Sequence, residues 1–187
     1  TKIYPQAVNI AQPADYVIGN VPAVAKDIRA NYDAMGQRQI IPWLSPGTNG
    51  EFDPSLLEPM LLETLLNGAR GFTYYTYTDF DPMDFYYHSK ALAELAPFEK
   101  LLKSGKPVTY KGDNPGLHYT CFASATEALV LVGNYAGIPD TEVNLPLPLR
   151  SIDSVQVNGK SLQIRDNKVS LEIPPGEFRL IYMTHKG

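Results

Sequence analysis

Asp79 ends a segment whose residues alternate in chemistry, Gly71-Phe-Thr-Tyr-Tyr-Thr-Tyr-Thr-Asp79. Extended as a β-strand, it places Thr73, Tyr75, Tyr77 and Asp79 on one face and Phe72, Tyr74, Thr76 and Phe80 on the other. Ligands of parallel α/β proteins meet the carboxyl ends of the strands, so Asp79 lies where chemistry is done. A loop carboxylate bonded to backbone amides is the other reading of the same residue. Glu51 is the second acid of interest, set in Pro46-Gly-Thr-Asn-Gly-Glu-Phe-Asp53. A glycine-rich loop of this kind can lower a carboxylate into a cleft for proton transfer, or leave it as a solvated glutamate.

Two further acids have a structural explanation. Asp81 precedes Pro82, with Asp84 three residues on, and Asp53 precedes Pro54. Aspartate followed by proline is the usual grammar of a helix start, so both are assigned as N-caps. Around the acids stand aromatic and amide groups. Tyr75 and Tyr77 share the face of Asp79, and Trp43 lies near the end of an earlier strand. Asn20 stands where the first strand is expected to end, either donating to a ligand or shaping the turn before Pro22. His88 and His118 have no partners at metal-ligand spacing, so no metal site is assigned. The chain also lacks a phosphate-cradling glycine loop and the G-x-S-x-G elbow of serine hydrolases.

Composition narrows the classes. The 187 residues are 44% hydrophobic and 19% charged, the profile of an ordinary globular protein. A net charge of −4 without a basic tract gives no surface for nucleic acid or an anionic membrane. No apolar run approaches transmembrane length. Cys121 is the single cysteine, which excludes an internal disulfide and predicts a buried, inert thiol. Twelve tyrosines suit either a β-rich core or a surface that stacks on ring-shaped ligands.

The elements that would position these residues change character near Pro107. Residues 1–107 alternate strand and helix: a strand over Asp15–Asn20, a helix from Pro22 to Met35, and a strand over Gln39–Ser45. A helix around Leu57, Leu61 and Leu65 follows, then the strand ending at Asp79 and a helix from Met83 to Ala96. Gly36 sits where a helix C′ glycine belongs. Pro42 removes a ladder donor and predicts a bulge or an early end to pairing. Residues 108–187 read as seven short strands, at His118–Ala123, Ala128–Asn134, Glu142–Leu147, Ser154–Val157, Leu162–Arg165, Val169–Ile173 and Phe178–Met183. Turn signals such as Asn158-Gly159 separate them, the pattern of a small antiparallel β-sandwich. The expected fold class is therefore α/β plus all-β, with a partial barrel segment over 1–107 and a C-terminal β-sandwich over 108–187. Three parallel βα units cannot close on themselves. The expectation is that further strands come from a preceding part of the protein or from another chain.

Three segments carry a resemblance. Ile40-Ile-Pro-Trp-Leu-Ser-Pro-Gly-Thr-Asn-Gly-Glu-Phe-Asp-Pro54 looks like a seventh barrel strand and its loop, and Asn67-Gly-Ala-Arg-Gly-Phe-Thr-Tyr-Tyr75 like a closing eighth strand. Ser170-Leu-Glu-Ile-Pro-Pro-Gly-Glu-Phe-Arg-Leu-Ile-Tyr182 is similar to the last strands of a trailing sandwich domain. Together they resemble the C-terminal part of a bacterial (β/α)8-barrel glycoside hydrolase. The resemblance implies the last three βα units of a TIM-type barrel and hydrolysis of glycosidic bonds by two carboxylates without a cofactor. It makes Asp79 and Glu51 candidate catalytic residues, with at least one member of the pair outside this chain and the isolated piece inactive. It makes Trp43 the floor of a sugar subsite, or else a core residue, with Tyr75, Tyr77 and Asn20 as substrate contacts. The implied partners are a carbohydrate and the remaining barrel strands, and the implied location is periplasmic or secreted. A non-catalytic carbohydrate-binding or structural module, or a barrel enzyme of another chemistry, are the alternatives.

Overall fold

A computed structural model of the chain describes residues 8–16, 19–36, 39–47, 52–75, 80–139, 141–146 (backbone), 152–166 and 168–185. The chain divides into two compact units, Thr1–Glu99 and Lys100–Gly187.

In the first unit, β1 (Ile10–Ala11) and β2 (Ala14–Asp15) are two stretches of one extended run, interrupted by Gln12 and Pro13. β3 (Gln39–Ile40) and β4 (Trp43–Leu44) form a second run, interrupted by Ile41 and Pro42. Proline supplies no ladder donor, yet its carbonyl still accepts. Trp43 N–H donates to Pro13 O and Thr73 N–H to Pro42 O, both at 2.9 Å. Pairing therefore resumes beyond Pro42 instead of ending there. β1 pairs with β3, β2 with β4, and β4 with β5 (Thr73–Tyr74), all in parallel. The first strand lies earlier than the expected Asp15–Asn20. Gly19 takes φ +64° and Asn20 caps the next helix, so the extended run ends at Asp15.

The helices follow their signals closely. α1 (Val21–Ala34) buries Val24, Ala25, Ile28 and Tyr32, and Gly36 follows at φ +60°. Tyr32 and Met35 share a core with Ile40. A 3-10 turn, Pro54–Leu56, leads into α2 (Leu57–Leu66) and places Pro59 in that helix's first turn. The Asp53 carboxylate accepts from Ser55 N–H at 2.9 Å and Ser55 Oγ at 2.7 Å, and these bonds hold its pKa below the usual value. α2 is buried on nearly all sides, including Glu58, Glu63 and Thr64. Its polar groups are bonded: Thr64 Oγ1 donates to Met60 O and Asn67 Nδ2 to Glu63 Oε2. At its end Gly68 has φ +107°, and a Cβ there would lie 2.3 Å from the Tyr32 ring. Only glycine lets these two helices approach so closely. α3 (Pro82–Leu95) opens with the expected capping box: Asp81 accepts from Met83 and Asp84 N–H, while Asp84 accepts from Asp81 N–H. A 3-10 turn, Ala96–Phe98, and α4 (Glu99–Ser104) follow.

The second unit contains β6 (Lys106–Val108), β7 (His118–Ala123), β8 (Glu127–Gly133), β9 (Thr141–Pro146), β10 (Ile152–Val157), β11 (Lys160–Ser161), β12 (Lys168–Ile173) and β13 (Phe178–His185). Six of these form one antiparallel sheet in the order β11-β10-β13-β8-β7-β6, and β12 pairs with β9 in a second. Cys121, Val130, Val155 and Ile181 of the larger sheet share a core with Val169 and Ile173 of the smaller. Cys121 is buried, as expected. Asn158 at φ +51° and Gly159 at φ +73° form the two-residue hairpin between β10 and β11. β11 is shorter and earlier than the strand expected over Leu162–Arg165. Leu162 N–H still bonds to Val155 O, but Arg165 forms only an isolated bridge to Lys168.

One buried side chain ties this unit's turns together. Asn134, fully buried, donates through Nδ2 to Ile138 O (2.9 Å) and Ile173 O (3.0 Å) and accepts at Oδ1 from Ile138 N–H (3.0 Å). Asn134→Ala leaves three backbone groups without these partners and is expected to cost on the order of 3 kcal/mol. Chemical denaturation of the variant checks this; a loss below about 1 kcal/mol would mean that water replaces the amide.

Candidate functional site

Register decides which side chains meet at the strand exits. Ala14, Trp43 and Thr73 are aligned across the three parallel strands, as are Asp15, Leu44 and Tyr74. Alternation puts Leu44, with Ile40 four residues before it, on the face buried toward the helices, and both are fully buried. Trp43 and Tyr75 lie on the opposite face. There the Tyr75 ring meets the Trp43 ring edge-on, with centroids 6.4 Å apart, and Tyr16 tilts against Tyr75 at 5.2 Å. Tyr16 is 43% exposed and Tyr75 39% exposed, while Trp43 is half-buried. One aromatic group from each of the three strand ends thus gathers on a single accessible face. Such a surface offers ring faces for stacking.

Two glycines at these exits receive the side chain of Phe52. Phe52 packs on Gly47 and Gly19, the glycines that follow β4 and β2. A Cβ at Gly47 would lie 2.6 Å from its ring, and a Cβ at Gly19 would lie 3.0 Å from its Cβ. Both glycines have positive φ. Bulk and backbone conformation therefore both select glycine at these positions.

The helix-facing side of β5 holds a different cluster. Tyr74 stacks with Phe72 and Phe80, and its hydroxyl bonds to His88 Nδ1 at 2.9 Å. Burial and the nearby Asp84 carboxylate push the Tyr74 hydroxyl well above its ordinary pKa. Asp84 is fully buried at the start of α3, and desolvation raises its carboxyl. A second polar cluster joins α2 and α3. Lys90 Nζ bonds to Glu58 Oε2 at 2.7 Å, and burial followed by the charge of Glu58 pushes Glu94 up to about 7. Glu94 thus holds its proton more tightly than an ordinary glutamate. The cluster lies between helices, away from the strand exits.

No protein-family model matches the sequence, and no curated protein matches it. Solved structures do. An endoxylanase of glycoside hydrolase family 30 from Clostridium papyrosolvens superposes with a TM-score of 0.58 at 13% identity, over 97% of this chain and 50% of that one. An Anoxybacillus alpha-amylase gives 0.59 at 11% identity, over 93% and 48%. A cyclomaltodextrinase gives 0.59 at 10%, over 92% and 37%. The likeness is one of fold. These neighbours are TIM-barrel glycosidases, and this chain spans about half their length or less.

Against that fold, the expected site residues fall into two groups. Trp43 and Tyr75 come together at the exits, whereas Asn20, five residues beyond β2, is the N-cap of α1, its Oδ1 accepting from Ala23 N–H at 3.1 Å. Glu51, Tyr77 and Asp79 lie outside the described residues. Tyr16 was not foreseen. It lies at the start of the expected Asp15–Asn20 strand but just past the end of β2, and its approach to Tyr75 depends on the tertiary register. The Glu58–Lys90–Glu94 cluster was also missed: Lys90 and Glu94 have the i, i+4 spacing, but Glu58 reaches them only through helix packing. Among the described residues no group of three or more His, Cys, Asp or Glu could hold a metal ion. No described helix is long and apolar enough to cross a membrane.

Gly47→Ala would force a side chain into the Phe52 ring at φ +82°. The expected cost is about 1–3 kcal/mol, read by denaturant unfolding followed through Trp43 fluorescence. A neutral result would show that Phe52 is not held against the strand exits.

Proposed function

We propose that this chain is the C-terminal part of a carbohydrate-active enzyme that hydrolyses glycosidic bonds, with Asp79 as a catalytic carboxylate and Glu51 as a second candidate. The observation that carries this reading is the aromatic face formed by Tyr16, Trp43 and Tyr75 at the carboxyl ends of three parallel strands. The fold likeness to an endoxylanase and to enzymes of the alpha-amylase kind supports it. Sugar rings present C–H faces that stack on such aromatics, and Trp43 with Tyr75 would form a subsite floor. Tyr77 and Asn20 would border that subsite, and the chain's 108–187 region would act as a trailing β-sandwich.

Hydrolysis requires one carboxyl that protonates the leaving oxygen and one carboxylate that acts as nucleophile or as base for water. In the order proposed, β2, β4 and β5 are the last three strands of a TIM-type barrel. The acid or base opposite Asp79 would then come from a strand outside this chain, and the chain by itself would not turn over substrate. No step needs a metal or an organic cofactor. The remaining barrel strands, from a preceding segment or another chain, are the proposed partner alongside the carbohydrate.

A second reading has its own support. Among the described residues, the strand exits bring together aromatic rings and no carboxylate pair, which is what a non-catalytic carbohydrate-binding module needs. Turnover separates the two. In a protein that joins the remaining barrel strands to this chain, Asp79→Asn is expected to lower glycoside turnover about a hundred- to ten-thousandfold with the fold intact. Turnover unchanged by Asp79→Asn removes Asp79 from the site. Oligosaccharide binding without any turnover by the completed protein favours the module.

A further inference from the structure

Resting on the carbohydrate-active reading of this site, we propose that its aromatic strand exits receive a neutral, linear oligosaccharide of at least two sugar units. Tyr16 is the residue that distinguishes such a chain from a monosaccharide.

The register aligns Asp15, Leu44 and Tyr74. Tyr16, Ser45 and Tyr75 therefore occupy the next level toward the exits, two residues beyond the level of Trp43. β2 and β5 flank β4 on its two sides, which sets their backbones about 10 Å apart. The Tyr16 and Tyr75 rings nevertheless come within 5.2 Å of each other. Their side chains thus lean together across the end of β4, where Ser45 is buried, and both rings stay exposed. The Trp43 indole lies one layer below, half-buried, and meets Tyr75 edge-on.

Ring planes decide how many sugar units the face takes. The Tyr16 and Tyr75 planes are tilted by 39°, and the Trp43 and Tyr75 planes by 73°. A sugar ring stacks flat on one such plane at a time, so no single unit covers both tyrosines. The inner unit fits the corner between Trp43 and Tyr75, and Tyr16 offers its own plane to the neighbouring unit. A glycosidic linkage joins adjacent rings and, by rotation about its bonds, lets their planes turn relative to each other. A fused planar ligand lacks that freedom and cannot follow both planes.

Charge and packing define the ligand further. The described residues at these two levels, Ala14, Tyr16, Trp43, Ser45, Thr73 and Tyr75, include no charged side chain. They give a uronate or a phosphorylated sugar no cation to pair with, and suit neutral rings. The exits are also held in place before a ligand arrives. Phe52 packs on Gly19, three residues beyond Tyr16, and on Gly47, beyond β4. A preformed face loses less ordering entropy on binding.

The test uses the intact chain, titrated calorimetrically with glucose, maltose and maltotriose and with xylose, xylobiose and xylotriose. In at least one series the disaccharide is expected to bind about tenfold more tightly than the monosaccharide, the gain from one further aromatic contact. Tyr16→Ala should bring the disaccharide down to the affinity of the monosaccharide and leave the monosaccharide unchanged, whereas Tyr75→Ala should weaken both. Tyr16→Phe keeps the ring and should keep the gain with chain length. Equal binding of mono- and disaccharide by the unaltered chain overturns the proposal, and this measurement stands whether or not a variant folds. A gain that survives Tyr16→Ala also overturns it; both results leave the carbohydrate reading in place. Binding of none of these sugars by the folded chain overturns the proposal and that reading together.

Discussion

The parallel register of the three short strands in the first unit governs the remainder of the site. With Trp43 level with Ala14 and Thr73, strand alternation sends Ile40 and Leu44 to the helix side and Tyr16, Trp43 and Tyr75 to the other. A slip of one residue would reverse both sets, placing an indole among the helices and aliphatic side chains at the exits. Two prolines within these strands leave the register intact because the ladder uses their carbonyls. The helices secure it from behind, through the core that Tyr32 and Met35 share with Ile40 and through the close approach at Gly68.

The polar groups of this unit sort by their surroundings. Those at helix starts are satisfied locally: Asn20, Asp53 and Asp81 each accept backbone N–H groups that a helix leaves open. Those on the helix side of the sheet are met through tertiary contacts, Tyr74 with His88 and Glu58 with Lys90, and burial raises the proton affinities of Tyr74 and Glu94 there. Perturbed titration is often read as a sign of catalysis. Here Tyr74 and Glu94 lie away from the aromatic strand exits, and burial accounts first for the shift of each. The second unit makes a similar economy with one residue, Asn134, which serves three backbone partners at once.

Much of this was legible from local chemistry. The Asp-Pro helix starts, the glycine after α1, the Asn158-Gly159 hairpin and the strand at His118–Ala123 all depend on neighbours within a few residues, and the structure has them where their signals stand. The alternation around Tyr74 and Tyr75 was also readable, because period two is intrinsic to a strand. The misplacement of the first strand had a physical cause: Gly19 and Asn20 turn the chain for α1, a role that an apolar pattern does not reveal. Tyr16 and Glu58 could not be assigned from spacing, since their partners come from other strands and helices. The fold likeness to TIM-barrel glycosidases agrees with the order of elements in the chain, while the identity of its substrate rests on the proposal above.

The central claim is that Tyr16, Trp43 and Tyr75 form a carbohydrate-stacking face. A titration of the intact chain with neutral oligosaccharides, followed by the emission of its single tryptophan, tests it most directly. The account predicts saturable quenching or a blue shift as a sugar ring covers Trp43, abolished in Tyr75→Ala. Emission that stays constant at millimolar concentrations of xylo- and malto-oligosaccharides, in a chain shown to be folded, would contradict it.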